Sequence, residues 1–501
     1  MKDTFRLSKS KYCSGVQCPK MLWLMKNKPE AFDDSVINQG VLDTGNEVGD
    51  LAMGLLGDFT EVPFDSDLTK MILKTEELLE QGVKVIAEAS FLFEGLFCSV
   101  DILKNKGERH VEVYEVKSAT EVHTQYEDDI AYQVYVLRRN GFIVDKAFLV
   151  HINNQYVRHG DLDLKQLFVI NDLTEIANLK QEEVEKRIQK LQEYMSHSEE
   201  PEDGIGPRCF DPYDCGFWNY CTACLPKPNV FDLARVQTRT KLACLYQGLV
   251  SFEAVLDQGN VNEKAKQQIR HELYDLPPEV DKKAIKKHLD TLTYPMYFLD
   301  FESFSPAIPM YDDSKPYQQI CFQYSLHYIE EENAEDRLAT LRHKEFLAYP
   351  GKDPRRELCE QLCRDIPKDS CVVAYNITFE KTRLKEMAEL YPDLSEHLLN
   401  IANNLRDQMV PFRERKYYCR AMKGSYSIKQ VLPALLPDDP ELDYHSLDEV
   451  HNGTEASEMF KSMAAMDPMD LEKSRKNLLA YCGLDTFAMV RIWEKLIEVA
   501  E

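Results

Sequence analysis

The stretch YFLDFESF, residues 297–304, places two carboxylates two positions apart in an aromatic, apolar run with no turn residue. In a β-strand successive side chains alternate faces, so Asp300 and Glu302 point the same way. Two like charges on one buried face are costly unless a cation or a proton compensates them. The pattern predicts a strand and leaves its compensation to be found. From Pro295 an α/β pattern runs to the C-terminus. It includes CVVAYNITFEKTRL (371–384), an apolar strand turning into a helix through Asn376, and LLAYCGLDTFAMVRIWEKL (478–496), an amphipathic helix. Tyr481 and Asp485, four apart on that helix, share a face.

At 501 residues the chain is long for one core, which predicts two or three domains. Its 44% hydrophobic and 29% charged residues describe an ordinary soluble globular protein. No apolar run reaches the roughly eighteen residues of a membrane span, so no membrane partner is expected. The start, MKDTFRLSKSKYC, lacks the apolar segment of a secretory signal. Fourteen cysteines without such a signal point to the reducing cytoplasm, where clustered cysteines hold metal more often than disulfides. The net charge of −25 argues against loose electrostatic coating of nucleic acid. It leaves room for an enzyme whose acidic sites carry metal ions. No protein partner is named by these residues.

Residues 85–117 alternate in the manner of strands: VIAEASFLF, LFCSVDIL, then HVEVYEVK. A helix, EDDIAYQVYVLRRNG (127–141), is stopped by Gly141, and KAFLVHI reads as a further strand. A charged amphipathic helix is expected from Asn171 to His197, followed by a loop and a cysteine-rich knot at 209–224. Residues 230–290 read as helical, broken at Leu276-Pro-Pro. The expected division is a domain at 1–228, a helical connector at 229–292 and a second α/β domain at 293–501. Glu115 and Lys117 share a strand face with Val111 and Val113, and Asp101 stands on the preceding strand. Two such acids suit Mg²⁺ or Mn²⁺, and the ammonium would stabilise negative charge at an attacked phosphate. The alternative is an ion pair on an edge strand.

Asp101, then Glu115-x-Lys117 on adjacent strands, then a helix carrying Gln133, resembles the PD-(D/E)XK (restriction-endonuclease-like) nucleases of the RecB-like branch. TGNEVGDLA (44–52) resembles that branch's metal-site helix. The resemblance implies Glu47, Asp101 and Glu115 on metal, with Lys117 positioning the water and Gln133 assisting. Tyr135 lies closer to Gln133 than the family spacing. CFDPYDCGFWNYC (209–221), with Cys18 from YCSGVQCPKMLWL (12–24), resembles the iron–sulfur staple of the CRISPR adaptation nuclease Cas-four and of AddB-type nucleases. It implies a 4Fe–4S cluster on Cys18, Cys209, Cys215 and Cys221, with zinc as the alternative. Cys13 and Cys224 are further thiols nearby.

In the second half, Asp-x-Glu on a strand, an acid at Glu380 and Tyr-x-x-x-Asp on a late helix resemble the DEDD exonucleases of the RNase H-like fold, tyrosine subtype. GSYSIKQVL (424–432) resembles the segment before their third motif. The resemblance implies a metal pair on Asp300, Glu302, Glu380 and Asp485, with Tyr481 orienting the water. Glu380 stands where that family has Asp. RERKYYCRAMK (413–423) interleaves Arg413, Arg415, Lys416, Arg420 and Lys423 with two tyrosines. It suits a groove that tracks a nucleic-acid backbone, or else a solvated basic loop. Over nearly its whole length the chain resembles the bacterial domain-of-unknown-function family 2779. The expectation is a cytoplasmic, metal-dependent nuclease with two active sites, acting on DNA ahead of RNA, on single strands or free ends. The rivals are a processing nuclease with one live site and a nucleic-acid-binding scaffold.

Overall fold

A computed structural model describes residues 7–333, 336, 338–437, 439, 442 and 449–501. The first six residues, read above for a leader, lie outside them. Two compact units are present: Met1–Leu225 with Pro306–Gln318, and Pro226–Ser305 with Gln319–Glu501. The observed architecture is mixed α/β in both.

The first unit is built on seven strands: β1 (Leu7–Ser8), β2 (Thr60–Glu61), β3 (Val85–Phe93), β4 (Leu96–Gly107), β5 (His110–Lys117), β6 (Ile143–Ile152) and β7 (Phe168–Asp172). Their order is β2-β3-β4-β5-β6-β7, and β1 pairs in parallel with the start of β4. The alternating stretch 85–117 folds as an antiparallel meander, as its period-2 pattern predicts. β5 and β6 run parallel, which demands a crossover, supplied by a helix at Thr124–Arg139. α1 (Lys9–Gln17) and α2 (Pro19–Asn27) precede the sheet, and α3 (Gln39–Met53) carries Glu47. The core gathers Tyr12, Leu22, Val100, Val113, Ile130, Leu149 and Leu191. The helix expected from Asn171 begins later, because Asn171 and Asp172 pair with β6. It then divides into Thr174–Leu179 and Gln181–Met195.

In the second unit β8 (Glu279–Val280) pairs antiparallel with β14 (Tyr417–Tyr418). The five strands β9 (Met296–Phe304), β10 (Ile320–Ile329), β11 (Arg342–Leu347), β12 (Cys371–Ala374) and β13 (Leu405–Asp407) form a sheet in the order β11-β10-β9-β12-β13. β9 is central, antiparallel to β10 and parallel to β12. Its alternation sorts the two faces. Tyr297, Leu299 and Phe301 pack with Leu358, Leu384 and Leu398. Met296 and Phe298 pack with Met489, Val490 and Trp493 of the 33-residue helix Pro468–Ala500.

The expected boundaries shift in two places. Residues 229–292 belong to the second unit and form no separate connector. There His271 stacks edge-on against Tyr418, and Arg420 pairs with Glu272. Conversely, 306–318 belongs to the first unit. Arg158 Nη1 donates to Pro309 O at 2.9 Å, and Ala307 and Ile308 join the cluster around Val48 and Tyr114. Among the described residues, no helix is long and apolar enough to cross a membrane.

Candidate active sites and a cysteine cluster

β4 and β5 bring the predicted acids of the first unit together. Glu115 is buried, and its Oε1 accepts from Lys117 Nζ at 2.8 Å and from Lys9 Nζ at 2.7 Å. Its Oε2 accepts from Gln133 Nε2, placed by the crossover helix. Burial alone would raise the Glu115 carboxyl, but Lys117 and Lys9 outweigh it and hold it at about 2. Asp101 Oδ2 accepts from the Val116 N–H at 2.6 Å. Its carboxyl is pushed up to about 6, first by burial and then by Glu115. Two low-dielectric carboxylates against two ammonium groups make a compensated cluster that still offers oxygen ligands to a hard cation.

Besides Asp129, two members of this site were not read from the sequence. Lys9 is one. The other is Glu88, at φ 55° between the β3–β4 pairs Ala87–Ile102 and Ala89–Val100. Its carboxyl is raised to about 7 by burial and then by Asp101. Glu47 is exposed on α3. Its charge acts on Tyr317, whose hydroxyl donates to Ser118 O, the residue after Lys117. Tyr135 points elsewhere, its hydroxyl 3.4 Å from Glu185 Oε1. Cys13 donates its thiol to Asp129 Oδ1 at 2.7 Å, and Asp129 also accepts from Lys117 at 2.5 Å. Cys13 is therefore part of this site and not of the knot. Lys9, Cys13, Lys117, Asp129, Arg208 and Tyr213 line a cleft of about 720 Å³.

The knot gathers the four expected thiols. Cys18 and Cys215 are buried, Cys209 and Cys221 half-buried. The Cys215 thiol is pushed up to about 11 by burial and then by Cys18, Cys209 and Cys221. No disulfide forms among the fourteen cysteines. Among the described residues, the group of three His, Cys, Asp or Glu ligand atoms lying within 4.8 Å of one another is Asp300, Glu302 and Cys482, in the second unit.

In the second unit, β9 presents Asp300 and Glu302 to the long C-terminal helix, as the alternation requires. Glu302, Glu380, Tyr481 and Asp485 are buried. The Asp300 carboxyl is held well above the ordinary range, first by burial and then by Asp485, Glu302 and Glu380. Glu302 is raised to about 8 by burial and Asp485, with Lys429 opposing. Burial raises Glu380, in the first turn of the helix Thr378–Leu390, to about 8, and its Oε2 has no hydrogen-bond partner. Tyr481 is raised by burial, then by Asp485, Glu302 and Asp300. An orphaned buried oxygen on Glu380, which acts on Asp300, together with Glu302 and Asp485 around that same Asp300, makes a set of oxygens that could hold a divalent cation. Mg²⁺ or Mn²⁺ fits it.

Two glutamines missed in the sequence hold the helix to the sheet. Gln323 Nε2 donates to Leu478 O and Gln408 Nε2 to Met489 O, at 2.7 and 2.8 Å. A lone amide inside ICFQYSL was the available signal. The basic segment 413–423 is not assembled as a stripe. Arg413 pairs with Asp407, Lys416 with Asp281 and Arg420 with Glu272 and Asp275. Arg415 Nη2 donates to Gly424 O, and Lys423 is exposed. Tyr417 and Tyr418 are buried, so they offer no stacking surface.

Residues 297–427 match the family described as Domain of unknown function (DUF2779). That match is narrower than the whole-chain resemblance expected above. The chain is 27% identical over 215 residues to the "Uncharacterized protein MG366 homolog" of Mycoplasma pneumoniae, a match covering 39% of this chain and 31% of the relative. It is 26% identical over 226 residues to the "Uncharacterized protein UU173" of Ureaplasma parvum, covering 41% and 32%. The matched stretch thus spans about a third of the length of these relatives.

Proposed function

We propose that this protein is a metal-dependent nuclease that hydrolyses nucleic-acid phosphodiesters, with DNA single strands or free ends ranked above RNA. One observation carries the reading: Asp300, Glu302 and Asp485 act on one another, and Glu380, whose buried Oε2 is unpartnered, acts on Asp300 as well. Such a set is stable only with a cation or with protons. In this reading the second unit has an RNase H-like, DEDD-type fold and the first a PD-(D/E)XK fold.

A bound pair of divalent ions would supply charge neutralisation at the phosphate and a nucleophilic water. The chain's own part is positional. Asp300 and Glu302 hold one side of the site from β9. Tyr481 and Asp485 approach from the helix, with the Tyr481 hydroxyl placed to orient a water. In the first unit, Asp101 and Glu115 supply oxygens, with the half-buried Glu88 taking the part the sequence assigned to Glu47, Lys117 faces the phosphate, and Gln133 holds Glu115. The gathering of Cys18, Cys209, Cys215 and Cys221 supports a 4Fe–4S cluster, with zinc as the alternative. Free thiols throughout accord with a cytoplasmic location.

End-labelled single- and double-stranded DNA and RNA, with Mn²⁺ or Mg²⁺, test the reading. Wild type should cleave, Asp300→Asn should lose one activity and Lys117→Ala the other, each by about 100-fold or more. Binding without cleavage in every arm would replace the enzyme with the scaffold reading.

A further inference from the structure

We infer that Lys9 is a second phosphate-binding lysine of the first site, mounted on a helix whose far end is fixed to the cysteine knot. The inference rests on the nuclease reading of that site and adds a residue to it.

The evidence begins with placement. Leu7 and Ser8 pair with Leu96 and Phe97 of β4, so the backbone entering α1 is fixed by the sheet. Ser8 caps α1 through a bond from the Lys11 N–H, and Lys9 is its first residue. Its Nζ reaches the same Glu115 oxygen as Lys117. Lys117 has a second anionic partner in Asp129, whereas the one ion pair of Lys9 among the described residues is with Glu115. An ammonium carries three donors, and Lys9 keeps 21% of its side-chain surface open. It lines the same cleft as Lys117, Arg208 and Tyr213. A phosphate there would meet both lysines, and Lys9 can turn to it about its terminal bonds without moving the backbone.

The other end of α1 is held as firmly. Gln17 Nε2 donates to Arg208 O at 2.9 Å and to Tyr213 O at 2.7 Å, both in the loop that carries Cys209 and Cys215. A Cβ on Gly15 would stand 2.8 Å from Leu191 Cδ1, so the middle of the helix is packed without slack. The knot therefore fixes where Lys9 is presented. The ligand class is the phosphate backbone of a nucleic-acid strand.

The test is fluorescence anisotropy of a labelled single-stranded DNA on the full chain with divalent metal chelated, over a salt series. Lys9→Ala should weaken binding about tenfold and make the log–log salt slope shallower by about 0.7, the value for one lost contact on a single strand. Lys9→Arg should restore both. Lys9→Gln, which keeps the stem, should behave like Lys9→Ala and serves if the alanine variant does not fold. A purely structural role would lower the melting temperature and leave the slope unchanged. An unchanged slope in Lys9→Ala and Lys9→Gln, with wild type binding normally, overturns the Lys9 assignment alone. No binding by wild type removes the nuclease reading and this inference with it.

Discussion

Cys482 Sγ stands 3.9 Å from Asp300 Oδ2 and 3.9 Å from the Asp300 carbonyl oxygen, which fixes the C-terminal helix over the central strand at the acidic site. Asp300 and Asp485 are expected to serve one ligand although 185 residues separate them in the sequence. Excess Mn²⁺ should raise the melting temperature of the full chain. Asp300→Asn and Asp485→Asn should each remove a similar part of that rise, and the double variant little more. Differential scanning calorimetry with and without Mn²⁺ decides it. Additive losses would mean that the two aspartates do not share an ion.

The same acids predict a pH dependence. Glu302 and Glu380 are raised to about 8 in the folded protein, against an ordinary value of 4.5. Between those values the folded state keeps protons that the unfolded chain has released, so metal-free stability falls as pH rises through this window. The fall should end above about pH 8, and Glu302→Gln should flatten it. Excess Mn²⁺ should reverse the trend, since cations then replace the protons. Melting curves in chelator at about pH 5.5, 7 and 8.5 are sufficient. A chelated wild type that gains stability with pH would contradict the raised carboxyls.

Anaerobically purified protein should be brown, because thiolate-bound iron–sulfur clusters are coloured and zinc is not. Cys18→Ala should bleach it and lower its stability more than Cys13→Ala does, since Cys13 serves Asp129 and not the knot. Metal analysis alongside absorbance reads the result. Colourless protein with stoichiometric zinc would replace the cluster with a zinc site.

Gly216 gives a further handle on the knot. A Cβ there would stand 2.4 Å from Phe32 Cε2, and the Gly216 carbonyl already accepts from the Asp33 N–H at 2.8 Å. Gly216→Ala should therefore cost about 1–3 kcal/mol through overpacking. The paired variant Gly216→Ala/Phe32→Leu should recover part of it. Chemical denaturation of the three proteins measures both, and a neutral Gly216→Ala would mean that Phe32 moves freely.

Much of this was legible because period-2 alternation survives in the inner strands of both sheets. HVEVYEVK and YFLDFESF each show which side chains share a face, and that alone pairs Glu115 with Lys117 and Asp300 with Glu302. Lys9 was hidden among the several basic residues of RLSKSKYC, where only the cap geometry of α1 selects one. Glu88 was hidden because a positive φ breaks the alternation that would have placed it. The segment 413–423 misled for the opposite reason. Composition gives its charge but not its partners, and Glu272, Asp275 and Asp281 are remote in sequence.

The return of 306–318 to the first unit has a consequence for inheritance. A single cut after Leu225 would leave the first unit without Tyr317, the donor to Ser118, and without Pro309, an acceptor for Arg158. Conversely, the matched stretch 297–427 cannot be moved to another gene without carrying this piece of its neighbour along. End-to-end fusion or loss of either unit would require paired breakpoints around a thirteen-residue segment. The two units are therefore expected to travel together through gene duplication and transfer as one cassette, even where only one of them is under selection.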